Sequence, residues 1–220
     1  MPGTLALVGG AEWRSGCDFD RDLLEASGGT EVLVLPTAAA YKHPDRTIET
    51  AARWFEELGA TVRALPVLTR RDALDPAHVE PIAAARFVYL SGGSPMHLRS
   101  VLKDSPVWDA LVAAWQGGAV LAGSGSGAMV LCDPMVDPRG GALTLGLGLV
   151  EQMAVIPHHD TWSEDKEKRT LKIAPQGLPI VGIDERSALL RDPDGGWRVA
   201  GAGEVTVYVD GATADLSRLP

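Results

Sequence analysis

Apolar residues gather along this chain in short unbroken runs, separated by longer stretches where they recur every three or four positions. Leu5-Ala6-Leu7-Val8, Glu31-Val32-Leu33-Val34-Leu35, Phe87-Val88-Tyr89-Leu90 and Ala119-Val120-Leu121-Ala122 are the runs. None alternates apolar with polar, which is the mark of strands covered on both faces. Between them the spacing predicts a short helix from Asp20 to Ala26. A longer one runs from Pro44 to Gly59, with Ile48, Ala51, Ala52, Phe55 and Leu58 on one face. Two more open on Ser94-Pro95 and Ser105-Pro106, where serine caps the helix and proline takes its first position. Beyond Pro134 the pattern changes to short apolar pieces among glycines and prolines, Leu143 to Leu147 and Met153 to Ile156, then one helix over 163–173. The tail reads as hairpin strands at 180–183, 187–190, 197–200 and 205–209, with Asp194-Gly195-Gly196 as a turn between two of them. The fold class expected is α/β. It is a three-layer αβα sandwich with a mostly parallel central sheet and an antiparallel C-terminal β extension, in a single domain over 1–220.

Composition narrows the functions. In 220 residues, 45% are hydrophobic and 22% charged, which excludes wholesale disorder. A formal net charge of −9 argues against nucleic acid or an anionic membrane as partner, since both select basic surfaces. Cys17 and Cys132 are too few for a disulfide framework, and Cys132 lies in an apolar run where it serves as a small buried hydrophobe. Met1-Pro2-Gly3-Thr4 lacks the basic segment and apolar stretch of a secretory leader. No run approaches the ~20 apolar residues of a membrane span, so a cytoplasmic location is expected.

Candidate chemistry sits at the strand ends, where open α/β sheets collect their ligands. Gly9-Gly10, Gly92-Gly93 and the segment Gly123 to Gly127 each follow a predicted strand. Any one alone is most simply a tight turn. The third is the most informative. Val120-Leu121-Ala122-Gly123-Ser124-Gly125-Ser126-Gly127-Ala128-Met129 has the strand, small-residue turn and helix of a nucleophile elbow, G-x-S-x-G. The central serine is replaced by Gly125, with Ser124 and Ser126 on either side. A phosphate loop fits poorly, because no lysine follows the glycines as in G-x-x-x-x-G-K-[ST]. In Val155-Ile156-Pro157-His158-His159-Asp160, a histidine at a strand end is a candidate general base. Adjacent histidines on an extended chain point apart, so at most one faces a given site, and the three polar residues in a row cannot converge on a metal. Glu185, at the end of the run Gly182-Ile183-Asp184-Glu185, is placed to orient an imidazole or simply to lie in a solvated turn.

Taken in order, these pieces resemble the cyanophycinase and aspartyl dipeptidase (dipeptidase E) family of serine peptidases, whose fold is similar to that of class I glutamine amidotransferases. The resemblance runs through Leu7-Val8-Gly9-Gly10-Ala11-Glu12, Leu35-Pro36-Thr37-Ala38, Leu90-Ser91-Gly92-Gly93-Ser94, the elbow, Pro157-His158 and Ile183-Asp184-Glu185-Arg186-Ser187-Ala188-Leu189. It implies a general base at His158, an orienting acid at Glu185, and an oxyanion hole from the N–H groups of Gly93 and Ser126. The family's elbow reads G-x-S-A-G-A, and its nucleophile falls on Gly125. The family's G-G-N turn reads Gly92-Gly93-Ser94 here. The resemblance implies small peptide or amide ligands, acidic at the residue whose carbonyl is attacked, no metal or organic cofactor, and a monomer or homodimer.

Three expectations follow. The first is a serine peptidase relative that keeps its pocket for small acidic peptides but has lost most or all of its catalysis, because Gly125 removes the atom that forms the acyl-enzyme. The second is an active hydrolase with Ser126 or Ser124 as a shifted nucleophile. The third is a structural or regulatory module that uses a surface away from the strand ends. Arg99, Arg169 and Arg186 lie near the site in sequence but read as solvated charges, and Trp162 reads as a pocket wall.

Overall fold

Leucines and valines that follow one another along a strand point to opposite faces, and both faces are buried here. β1 (Leu5–Val8) sends Leu5 and Leu7 into one core and Ala6 and Val8 into another. The same division holds for β2 (Glu31–Leu35), where Leu33 and Leu35 face one side and Val32 and Val34 the other. This is why the runs carry no alternation. The computed structural model describes residues Met1 to Pro220.

Along the chain follow α1 (Phe19–Ser27), α2 (Pro44–Glu57), β3 (Thr61–Ala64), α3 (Arg70–Ala73), α4 (Val79–Ala84), β4 (Phe87–Leu90), α5 (Pro95–Leu102), α6 (Pro106–Gln116), β5 (Val120–Ser124) and α7 (Ser126–Leu131). Helices α1 and α2 bury Phe19, Leu23, Ala51 and Phe55 on one face of the sheet. Helices α4 to α7 bury Ile82, Leu98, Leu111 and Met129 on the other, completing the αβα sandwich. The serine caps form as the sequence indicates. Ser94 and Ser105 accept the N–H of His97 and Trp108, at 3.3 Å and 3.1 Å, ahead of prolines at the first helical position.

Four two-residue strands, β6 (Cys132–Asp133), β7 (Met135–Val136), β8 (Leu143–Thr144) and β9 (Val150–Glu151), tie down the segment after the elbow. Then come β10 (Ala154–Pro157), α8 (Glu164–Ile173), β11 (Ile180–Ile183), β12 (Ser187–Arg191), β13 (Trp197–Gly201), β14 (Val205–Val209) and β15 (Ala212–Ala214). The central sheet has seven strands in the order β13-β12-β1-β5-β4-β2-β3. Its five strands from β1 to β3 are mutually parallel, and β12 and β13 are antiparallel additions at one edge. The antiparallel tail therefore divides. The β12–β13 hairpin, turned at Asp194-Gly195-Gly196, extends the main sheet, while β11, β14 and β15 join β10 in a second sheet. Val155, Val181, Ile183 and Val207 pack that second sheet into the larger core. No helix is long and apolar enough to cross a membrane.

Candidate active site

Parallel registry places three glycine turns at one edge. Val8 of β1 pairs with Ser124 of β5, and Leu90 of β4 pairs with Gly123, so the ends of the three strands lie side by side. The β5 end turns sharply into α7 at Gly125, whose φ is 52° and ψ −103°. L-residues adopt this conformation only under strain, of order 1–3 kcal/mol. The flanking glycines are required sterically. A Cβ at Gly123 would fall 2.7 Å from the Gly127 carbonyl carbon, and one at Gly127 would fall 2.7 Å from the Leu90 carbonyl oxygen. At Gly125 itself a Cβ has ordinary room. Its nearest neighbours would be His158 Nε2 at 3.4 Å and Gly92 Cα at 3.9 Å. The backbone of a nucleophile elbow is thus intact, and it faces an imidazole nitrogen.

His158 follows β10 in a left-handed conformation, φ 52° and ψ 38°, with its N–H donating to the Gly9 carbonyl at 2.6 Å. Its ring lies against Gly10, where a Cβ would come within 2.1 Å of the ring carbon Cε1. The parallel pairing of Pro157 with Ile183 sets His158 beside the residues that follow β11. Glu185 Oε1 lies 2.8 Å from His158 Nδ1. A carboxylate only accepts, so Nδ1 carries the hydrogen and Nε2 of the neutral ring keeps its lone pair, a tautomer assigned from this bond. Glu185 is itself held, because its N–H donates to Asp160 Oδ1 at 3.0 Å. The neighbouring Arg186 N–H donates to the Gly10 carbonyl at 2.9 Å. His159 turns away, though not through the extended chain the sequence suggested: β10 ends at Pro157, His158 is left-handed and His159 opens a 3₁₀ turn. Its Nε2 lies 2.7 Å from Glu167 Oε2 and its Nδ1 3.5 Å from Asp184 Oδ1, so the two imidazoles serve different neighbours.

The two flanking hydroxyls are engaged elsewhere. Ser124, fully buried, donates to Glu12 Oε2 at 2.8 Å. Ser126 donates to the Gly93 carbonyl at 2.7 Å and accepts the Gly93 N–H at 3.2 Å. Gly93 has φ 148°, and its Cα presses on the Ala38 carbonyl, where a Cβ would fall 2.1 Å from the oxygen. The N–H of Ser126 opens α7 and has no helical carbonyl before it to bond, so it is free to donate into the site. Neither buried thiol competes as a nucleophile. Burial pushes Cys17 up to about 11 and raises Cys132 further.

Two residues gain importance only from the structure. Glu12 bridges the turn after β4 to the end of β5, accepting the Gly92 N–H at 3.0 Å as well as the Ser124 hydroxyl. Its position directly after Gly9-Gly10-Ala11 was the only sequence signal. Lys166, on the first turn of α8, lines the cleft together with Gly93, Ser126, His158 and Trp162. Its ammonium sits 3.7 Å above the Trp162 ring rather than in an ion pair. Partial burial holds it below the usual lysine range. Trp162 is the pocket wall its sequence position suggested. None of Arg99, Arg169 and Arg186 lines the cleft, whose volume is about 340 Å³. A larger groove of about 520 Å³ between α4 and α6 is lined mostly by alanines and glycines. Its one ionisable group, Arg86, donates to the Ser27 carbonyl, so the groove carries no acid–base chemistry.

The sequence pattern of peptidase family S51 matches residues 5–196. A cyanophycinase of Nostoc sp. is 28% identical over 214 residues, 91% of this chain and 72% of that protein. A cyanophycinase of Synechococcus elongatus is 26% identical over 220 residues, 93% of this chain and 67% of that one. Among solved structures, a peptidase from an acI-B1 Actinobacterium superposes with a TM-score of 0.86 at 31% identity, covering 97% of this chain and 93% of its own. A putative peptidase E protein from Listeria monocytogenes EGD-e gives 0.68 at 16% identity, over 95% of this chain and 99% of that one, and shares the fold.

Proposed function

Because this chain belongs to peptidase family S51, a family of serine peptidases, we propose that it is a member that binds small acidic peptides in its cleft and has lost the covalent catalysis of the family. The observation that carries the reading is the meeting of His158 Nε2 with residue 125: elbow, base and orienting acid stand together, and the position the base would serve is glycine. Losing the nucleophile of such a set costs about a million-fold in turnover and leaves binding and oxyanion stabilisation behind. Neither Ser124 nor Ser126 supports a shifted attack, since each hydroxyl donates to an oxygen away from the imidazole.

The ligand class rests on Lys166. It is the cleft's lysine, partly desolvated against Trp162, and its ammonium is available to a carboxylate of the ligand. Calorimetric titration with an aspartyl dipeptide tests the reading. Saturable binding is expected with no cleavage above a protein-free control, and Lys166→Ala should weaken binding about tenfold, or about 1.4 kcal/mol. Absence of binding, or peptide turnover at enzymatic rates, would contradict it.

A further inference from the structure

An imidazole with one nitrogen fixed on a carboxylate is a general base looking for a proton donor. In a serine hydrolase that donor is the nucleophile's hydroxyl. Here Nε2 makes no hydrogen bond within the protein, while Nδ1 is held 2.8 Å from Glu185. The His158 side chain is 43% exposed, so solvent reaches it. At residue 125 a Cβ would lie 3.4 Å from Nε2 and 3.9 Å from Gly92 Cα, so glycine leaves the approach to that nitrogen open.

We propose that the His158–Glu185 pair acts on water directly, giving this chain a non-covalent hydrolase activity toward activated carboxylic esters. The inference rests on the reading of the site above, and adds an activity to it. In the first step a water donates one proton to Nε2 as its oxygen bonds to the acyl carbon, producing a tetrahedral oxyanion and an imidazolium. Glu185 stabilises the charged ring from the Nδ1 side. The Ser126 N–H, unbonded within its helix at a residue that lines the cleft with His158, supplies a donor for the oxyanion. In the second step the bond from the acyl carbon to the leaving oxygen breaks, and the proton on Nε2 passes to that oxygen. Ester and water become carboxylic acid and alcohol, with the imidazole returned neutral and no acyl-enzyme formed.

The class of substrate follows from the chemistry. Without a covalent intermediate, a single general base supplies about 10²–10⁴-fold acceleration. That is ample for an ester with a stable phenolate leaving group and far too little for a peptide amide. The same site can therefore hold peptides intact and turn over activated esters. The ring's freedom to do so depends on Gly10 and Gly125 together, one giving the imidazole its seat and the other leaving Nε2 unobstructed.

The test is sustained hydrolysis of 4-nitrophenyl acetate by the unaltered protein, compared with His158→Ala and Glu185→Gln. Expected are many turnovers per molecule, release linear from the first point with no burst, and a normal solvent deuterium isotope effect. His158→Ala should lower the rate about a hundredfold or to the solution background, and Glu185→Gln should lower it less. Equal rates for the unaltered protein and His158→Ala would overturn the inference. So would turnover no greater than solution, or a burst accompanied by an acetyl group on Ser124 or Ser126. Labelling of Gly125→Ser by a fluorophosphonate, run alongside, separates the two readings. A labelled variant with no ester turnover in the unaltered protein sinks the water mechanism alone. An unlabelled, folded variant sinks the site reading beneath it.

Discussion

At the scale of single residues, three that the fold brings together were readable from the sequence. Gly125, His158 and Glu185 each sit in a short local motif, and local spacing survives into the fold. Glu12 and Lys166 do not announce themselves. The Glu12 carboxylate meets a hydroxyl 112 residues away in sequence, and Lys166 lines one cleft with Gly93 and Ser126 only once the chain has folded. Another residue of this kind is Asp20. It is wholly buried, accepts the Trp54 indole N–H at 2.9 Å through Oδ2, and has no hydrogen-bond partner at Oδ1. Burial drives its carboxyl well above the usual range, so the folded chain keeps a proton that the unfolded chain has released. The stability tied to that proton is complete below the unfolded value and is lost as pH rises through the folded one. Asp20→Asn keeps an acceptor for Trp54 and removes the titration. Thermal melts should show the variant gaining on the parent as pH rises from 4 to 8, and parallel pH profiles would refute this.

At the scale of elements, the strands β1, β2 and β4 and the helices with serine caps were legible because each carries its own signal in consecutive residues. Others were not. β3 is short, half polar and mostly exposed at the sheet edge, so no apolar run marks it. α4 is six residues with a proline inside. The tail strands were visible as strands, but their partners were not, because pairing is settled by which core they bury into. β12 is covered on both faces, with Ala188 and Leu190 joining Ala6 and Val8 in one core and Leu189 in the other, while β14 gives Val207 and Val209 to the larger core alone. Among the caps, Ser105 bears the most structure. It is buried, donates to the Leu102 carbonyl at 2.6 Å and accepts the Trp108 N–H at 3.1 Å, linking α5 to α6. Ser105→Ala should lower the unfolding free energy in urea by about 1–2 kcal/mol. A loss within a few tenths of a kcal/mol would mean the cap is dispensable.

Over the whole molecule, the site exists because two sheets meet. The main sheet supplies the glycine turns and the elbow, and the second sheet supplies the imidazole and its carboxylate from the ends of two parallel strands, β10 and β11. The larger core is continuous between them, so the distance from residue 125 to His158 is set by packed side chains rather than by a loop. A glycine at the elbow does not disturb this arrangement, and it relieves the strain that a positive φ imposes on any other residue. The architecture can therefore outlast the nucleophile. Intact-mass measurement after treatment with a fluorophosphonate tests that claim most directly. The unaltered protein should gain no adduct, Gly125→Ser should gain one adduct on residue 125, and Gly125→Ser combined with His158→Ala should lose it. An adduct on Ser124 or Ser126 of the unaltered protein, or a folded Gly125→Ser variant that stays unlabelled, would contradict the account.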